Sequence, residues 1–220
     1  MIDKRVESFA AALAGVKDGD VILCSGFGKA GEPRALIDAL AEIDVRDLTV
    51  VSNNGGSGVN GVAGLLKSGR VRKLICSYPR SGDPVVFDQL YREQKLELEI
   101  VPQGTMSERM RAAGAGIGGF FTRTGAGTRL AEGKETRMID GQLHIFEKPL
   151  PGDFALIMAQ CADRWGNLIY RKAARNFNPV MATAGKVTVA QIAELVDLGT
   201  LDPEAIATPG IYVDRLVVSP

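Results

Sequence analysis

Three short stretches bring together residue types that can bind and polarise a small ligand. Gly26-Phe27-Gly28-Lys29-Ala30-Gly31 has the G-x-G-x-x-G spacing. Such glycines let the backbone approach a ligand closely, and a helix opening behind them offers amides to a phosphate or carboxylate. Val51-Ser52-Asn53-Asn54 and Pro102-Gln103-Gly104-Thr105 add two side-chain amides, Asn53 and Gln103. An amide pair with neither acid nor base beside it suits polarising a carbonyl better than moving a proton. Each amide taken singly is also an ordinary turn residue, and the glycines an ordinary strand-to-helix turn. Only a shared location makes them a site. A dinucleotide reading of the glycines requires an acid about 20 residues on, at the end of the next strand. Ser52-Asn53-Asn54 stand there and Asp47 precedes the apolar run, which counts against a nicotinamide enzyme.

The elements that must position these residues follow from periodicity. Ile2, Val6, Phe9, Leu13 and Val16 fall at helical spacing and predict an amphipathic first helix. Asp18-Gly19 is a turn, and Val21–Cys24 is the continuous apolar run of a strand buried on both faces. Pro33 sits where a first-turn proline belongs, ahead of a helix face of Leu36, Ile37 and Leu40. Strands at 47–52 and 73–77, a short helix near Val62–Lys67, and a helix opened by Pro84 continue the alternation. Leu96–Val101 alternates apolar and acidic residues, and Met106 to Ala113 is helical in composition. Four such repeats predict a parallel, helix-covered sheet. Its strands deliver their C-terminal ends to one crevice, and the glycine loop, Asn53 and Gln103 all stand at such ends.

After residue 114 the texture changes. Glycines crowd the stretch from Gly114 to Gly127, as a lid or as tight hairpin packing. Short alternating runs follow at Thr136–Ile139, Leu143–Phe146 and Phe154–Met158, with Asp140-Gly141 as a hairpin turn. Asp202-Pro203-Glu204 caps a last short helix, and Ile211–Val218 reads as a closing strand. The expectation is one domain over residues 1–220: α/β, a mostly parallel sheet covered by helices, with an antiparallel hairpin elaboration in its second half.

Lys+Arg and Asp+Glu balance at 26 each in 220 residues, so no global charge attracts nucleic acid or an anionic membrane. A single histidine, His144, excludes a multi-histidine metal site, and it reads as a structural mid-strand residue. Three cysteines without CxxC spacing fit a reducing compartment, and the expected location is cytoplasmic. Arg171, Lys172 and Arg175 form the densest basic cluster, open to a phosphate, a carboxylate, solvent or a neighbouring protomer. From the residues alone, the chain is an α/β protein binding an acyl or phosphorylated ligand. A non-catalytic module for a phosphorylated effector remains the reading of another class.

The series resembles the alpha chain of the two-component family I CoA-transferases. The matching pieces are Asp18-Gly19, Gly26-Phe27-Gly28-x-x-Gly31-x-Pro33, Ser52-Asn53-Asn54, Pro102-Gln103-Gly104-Thr105, Asp163-Arg164-x-Gly166-Asn167, Ala174-Arg175-Asn176-Phe177 and Thr208–Val213. They run in order over more than nine-tenths of the chain. Gly133–Arg137 and Asp163–Leu168 most resemble the branch acting on 3-oxoadipate, with acetoacetate or another 3-oxoacid as the alternative acceptor. The resemblance implies ping-pong transfer from succinyl-CoA through a glutamyl-CoA thioester. It places the nucleophilic glutamate on a partner beta chain, in an alpha2beta2 assembly. It implies that Gln103 stabilises the oxyanion, that Asn53 lines the site, and that Ser25, Gly26, Phe27, Gly28, Lys29, Ala30 and Gly31 form the loop associated with CoA. CoA thioester is then a substrate, with no tightly bound cofactor and no metal. Ser25 departs from the second glycine usual in the family, and Cys24 from an aliphatic residue.

Overall fold

The computed structural model describes residues 2–219. Strand and helix alternate where the apolar runs predict: α1 (Phe9–Ala12), β1 (Val21–Cys24), α2 (Arg34–Glu42), β2 (Leu48–Val51), α3 (Val62–Lys67), β3 (Val71–Cys76), α4 (Val85–Arg92), β4 (Glu97–Ile100) and α5 (Gln103–Gly114). The later strands are β5 (Phe120–Thr122), β6 (Thr136–Ile139), β7 (Gln142–Glu147), β8 (Gly152–Asp163), β9 (Leu168–Ile169), β10 (Gly185–Val196) and β11 (Arg215–Val218), with α6 (Asn178–Ala184) before β10. The main sheet has the order β11-β10-β8-β1-β2-β3-β4, and every pair along that path is parallel. β9 folds back antiparallel on β8. A separate antiparallel sheet has the order β5-β7-β6.

At the centre of the parallel sheet both faces are buried, which is why β1 and β2 read as largely apolar runs, whereas the edge strand β4 alternates apolar and acidic residues. Ile22 and Cys24 of β1 face a core with Leu36, Ile37 and Leu40 of α2, Leu65 of α3 and Phe87 of α4. Leu23, between them, faces the opposite core with Met106 and Met110 of α5 and Met181 of α6. Each such side chain contributes about 1.5–3 kcal/mol by leaving water. From β1 the chain steps outward to β4, then returns to lay β8 on the other side of β1. α2, leaving β1, covers one face, and α6, following β8, covers the other. The β1–β8 boundary is therefore a topological switch point.

Three expectations need correction. The first helix spans only Phe9–Ala12, capped by the Ser8 hydroxyl on Ala11 N, and Gly15 at φ 95° lies just beyond its end. Ahead of it the chain is extended along β11: Val6 N donates to Leu216 O (2.9 Å) and Leu216 N to Lys4 O (2.8 Å). Strand pairing outweighs the helical spacing there. Phe154–Met158 belongs to no antiparallel elaboration; it is the middle of β8, parallel to both β1 and β10, and its apolar residues fill both faces. The closing strand is also shorter than Ile211–Val218, since Gly210–Tyr212 forms a 3-10 turn and pairing begins at Arg215. The Asp140-Gly141 hairpin stands, with both residues at positive φ (49° and 72°) as a primed turn requires.

Candidate functional site at the strand ends

The C-terminal ends of β1, β2, β3 and β4 form a rim. After β1 the backbone makes a tiny hairpin in which Phe27 N donates to Ala30 O (3.0 Å) and Ala30 N to Phe27 O (3.2 Å). Gly28, at its exposed tip, has φ 60° and open space where a Cβ would stand. Gly31, at its base, has φ 67°, and a Cβ there would collide with the Ala174 carbonyl. Only glycine fits that close approach.

The base is fastened by a residue that sequence reasoning passed over. Asn178, fully buried at the start of α6, donates from Nδ2 to Gly31 O (3.2 Å) and Ala174 O (2.8 Å). Its Oδ1 accepts from Ser25 Oγ (2.5 Å) and Met158 N (2.7 Å). Ser25 is buried with its hydroxyl turned inward, so at this position serine supplies an anchor that glycine lacks. Its φ is not in the left-handed region, and the Cβ brings no strain. Asn176 adds a bond from Nδ2 to Ala30 O (2.9 Å). Asn178 lies within Asn176-Phe177-Asn178-Pro179, where asparagine and proline read simply as a turn.

Across the rim, Gln103 Nε2 donates to Asn53 Oδ1 (2.7 Å), and Asn53 Nδ2 donates to the Tyr78 hydroxyl (3.2 Å). The expected pair is thus in contact, bridging the ends of β2 and β4 over the end of β3. Their burial differs: Asn53 has no exposure, whereas Gln103 is exposed at the start of α5. With one Nε2 hydrogen held by Asn53, the second and the Oε1 atom remain for a ligand. Tyr78, just past β3, had no motif around it to signal this contact.

A cleft of about 340 Å³ opens between the glycine loop and the loop after β2, lined by Gly28, Lys29, Glu32, Arg34, Asn54 and Asn60 among others. Ser81 Oγ donates to Gly56 O (3.1 Å) and Ser57 Oγ accepts from Asp83 N (3.0 Å), which zips its far wall together. Burial pushes the Glu32 carboxyl above the usual carboxylate range, against the Val62 N–H it accepts and the nearby Arg34 charge. Burial raises the Cys24 thiol, and pushes that of Cys76 up to about 12. His144 stands on β7, its Nδ1 2.8 Å from Gln142 O, and opposite Arg137. Arg171, Lys172 and Arg175 are exposed on a 3-10 turn beside Ala30 and Gly31. No group of metal-binding side chains occurs among the described residues, and no helix among them is long and apolar enough to cross a membrane.

A family profile described as Coenzyme A transferase matches residues 6–219. Among similar proteins, the A component of 3-oxoadipate CoA-transferase from Pseudomonas putida is 58% identical over 217 residues, covering 99% of this chain and 94% of that one. The corresponding component of succinyl-CoA:3-ketoacid coenzyme A transferase from Xanthomonas campestris pv. campestris (strain B100) is 50% identical, covering 98% and 89%. The fold is also that of an acyl-CoA transferase from E. coli O157:H7, solved as a thioester complex with CoA, at a TM-score of 0.83 and 23% identity. That match covers 100% of this chain and 48% of the other, so the chain spans about half the length of that structure. The parallel sheet, the glycine loop and the amide pair on its rim are those of a chain that belongs to the coenzyme A transferase family.

Proposed function

We propose that this chain, acting as one unit over residues 1–220, is the alpha component of a cytoplasmic enzyme that moves CoA from succinyl-CoA to 3-oxoadipate. The observation that carries the reading is the Gln103–Asn53 bond of 2.7 Å, on the same rim as the glycine loop. The thioester carbonyl is attacked by a glutamate on a separate beta chain, and thiolate leaves as an acyl anhydride forms. The thiolate then attacks the glutamyl carbonyl, releasing succinate and leaving a glutamyl-CoA thioester; the acceptor carboxylate takes CoA by the same two steps. Each step puts negative charge on a carbonyl oxygen. Gln103 supplies the N–H that meets it, while Asn53, buried beneath, holds the amide in orientation, with Tyr78 behind. Fixed donors of this kind contribute because they need not reorganise as the charge develops.

Gly26, Phe27, Gly28, Lys29, Ala30 and Gly31 form the surface over which the CoA arm lies, and Ser25 holds that surface from behind. Two copies of each component make the working assembly. A second reading, transfer to acetoacetate or another short 3-oxoacid, is favoured by the 50% identity to a protein named for 3-ketoacids. The test is to isolate the complex from its host through a tag on this chain and assay transfer from succinyl-CoA to both acceptors. The expected result is a co-purifying chain of similar size and a higher kcat/KM on 3-oxoadipate. Preference for acetoacetate selects the second reading. An intact complex with no transfer to either acceptor overturns both.

A further inference from the structure

The switch point between β1 and β8 is flanked by two loops that leave toward opposite faces. One is the glycine loop; the other leads through Arg171–Arg175 to α6. In open α/β sheets the crevice outside such a point is where ligands lie. The two loops are fixed to each other. Asn176 Nδ2 reaches Ala30 O, and Asn178 Nδ2 holds the carbonyls of Gly31 and Ala174 together. Within the turn Lys172 is kept at φ 48°, a conformation that persists only where surroundings impose it. The three cations it displays, Arg171, Lys172 and Arg175, are exposed and have no carboxylate partner among the described residues.

We propose that this turn binds the phosphate groups of the CoA thioester, forming the outer end of the site whose inner end is Gln103. The proposal rests on the CoA reading of the glycine loop. The cleft on the loop's other side is a poorer phosphate site, because Glu32 and Asp83 share its lining with Lys29 and Arg34. Length supports the assignment. Strands lie about 4.8 Å apart, so β8 at Leu156, level with the end of β1 and beside the Met158 N–H bonded by Asn178, is roughly 10 Å from the end of β2, which carries Asn53, and roughly 19 Å from that of β4, which carries Gln103. The arm of CoA between sulfur and first phosphate has about thirteen bonds, equivalent to about four residues of extended chain, or about 15 Å. A thioester whose carbonyl meets the amide pair would thus place its phosphates at the turn. Arginine suits the task, since its planar fork matches phosphate oxygens.

The experiment compares succinyl-CoA with the succinyl thioester of pantetheine, which lacks phosphates, using the complete two-component enzyme. For the double variant Arg171→Ala/Arg175→Ala we expect KM for succinyl-CoA to rise about tenfold or more, with kcat held. KM for the pantetheine thioester should not move, and Arg171→Lys/Arg175→Lys should restore part of the loss. An unchanged KM for succinyl-CoA overturns the proposal, as does an equal effect on both thioesters. Loss of the partner chain on gel filtration overturns it in favour of a docking role. Gly28→Val separately tests the loop. If it raises KM for both thioesters while the double variant alters neither, the phosphate assignment fails and the loop reading stands. If it alters neither, the loop reading itself fails.

Discussion

The rim and the seam of this molecule are held by different forces. At the rim, Gln103, Asn53, Tyr78, Ser25 and Asn178 are neutral, and they position one another through hydrogen bonds. Along the seam between the parallel sheet and the three-stranded sheet, the links are ionic. Lys73 on β3 joins Glu97 (3.0 Å) and Glu99 (2.8 Å) on β4; Glu99 meets Arg109 on α5 (3.0 Å). Arg109 approaches Glu147 on β7 (3.9 Å), which Lys134 also binds at 2.5 Å. Glu147 is 2% exposed, so this carboxylate depends on its two cations. The contrast teaches that charge is used here to join layers. The rim keeps directed dipoles, which stabilise developing charge without becoming a permanent counter-ion for the ground-state carboxylate.

Variants on the two sides of that division should fail differently. Gln103→Ala should lower kcat by about 10²–10³, or about 3–4 kcal/mol of barrier, with assembly intact by gel filtration. An unchanged turnover number would remove the oxyanion role and erase the distinction. Glu147→Ala should destabilise the fold by about 3 kcal/mol, because half-buried Lys134 loses its carboxylate and largely buried Arg109 is left with Glu99 alone. Urea unfolding would show it as a lower midpoint at unchanged slope, with turnover per folded complex preserved. A seam variant that cuts turnover without moving the midpoint would contradict the comparison.

Acid should sharpen the picture. Burial acts against ionisation of Glu99, yet hydrogen bonds and charge from Lys73 and Arg109 outweigh it and hold the carboxyl below its ordinary range. Its stabilising contribution is complete above the unfolded value of about 4.3 and is lost as pH falls through the lower folded value. Thermal midpoints measured from about pH 6 down to about 3 should therefore fall, and Glu99→Gln should flatten part of that slope. Glu32 has the opposite sign. Its raised value means that the ionised carboxylate costs stability at neutral pH and the protonated one does not. Glu32→Gln should give a small rise in midpoint near neutral pH that fades as the pH drops below about 4.3. A gain that persists in acid would show that the benefit came from packing.

Much of the rim was legible because parallel strands announce themselves. β1 to β3 read as mainly apolar runs and β4 as an apolar/acidic alternation, and each ends in a polar or glycine-rich turn, so Asn53 and Gln103 could be placed on one edge from the sequence alone. Their contact and unequal burial could not, since both depend on where tertiary packing sets the start of α5 relative to the end of β2. β10 was less readable. Ala190-Gln191-Ile192-Ala193-Glu194-Leu195 is rich in good helix formers, yet the segment pairs with β8 from Gly185 to Val196. Tertiary pairing overrides propensity there. Asn178 escaped notice for a related reason: three of its four bonds reach Ser25 just past β1, Gly31 of the glycine loop and Met158 of β8, all distant in sequence, and only Ala174 of the basic turn is a local partner.

The strip from Lys4 to Val6 that lies along β11 has a consequence for handling the protein. Without it, the outer backbone groups of β11 would stand open, beside the exposed Val218 side chain. An open, apolar strand edge is a template for a second chain. Trimming those few residues would therefore take only Val6 from the margin of the core, yet leave a molecule inclined to associate edge to edge.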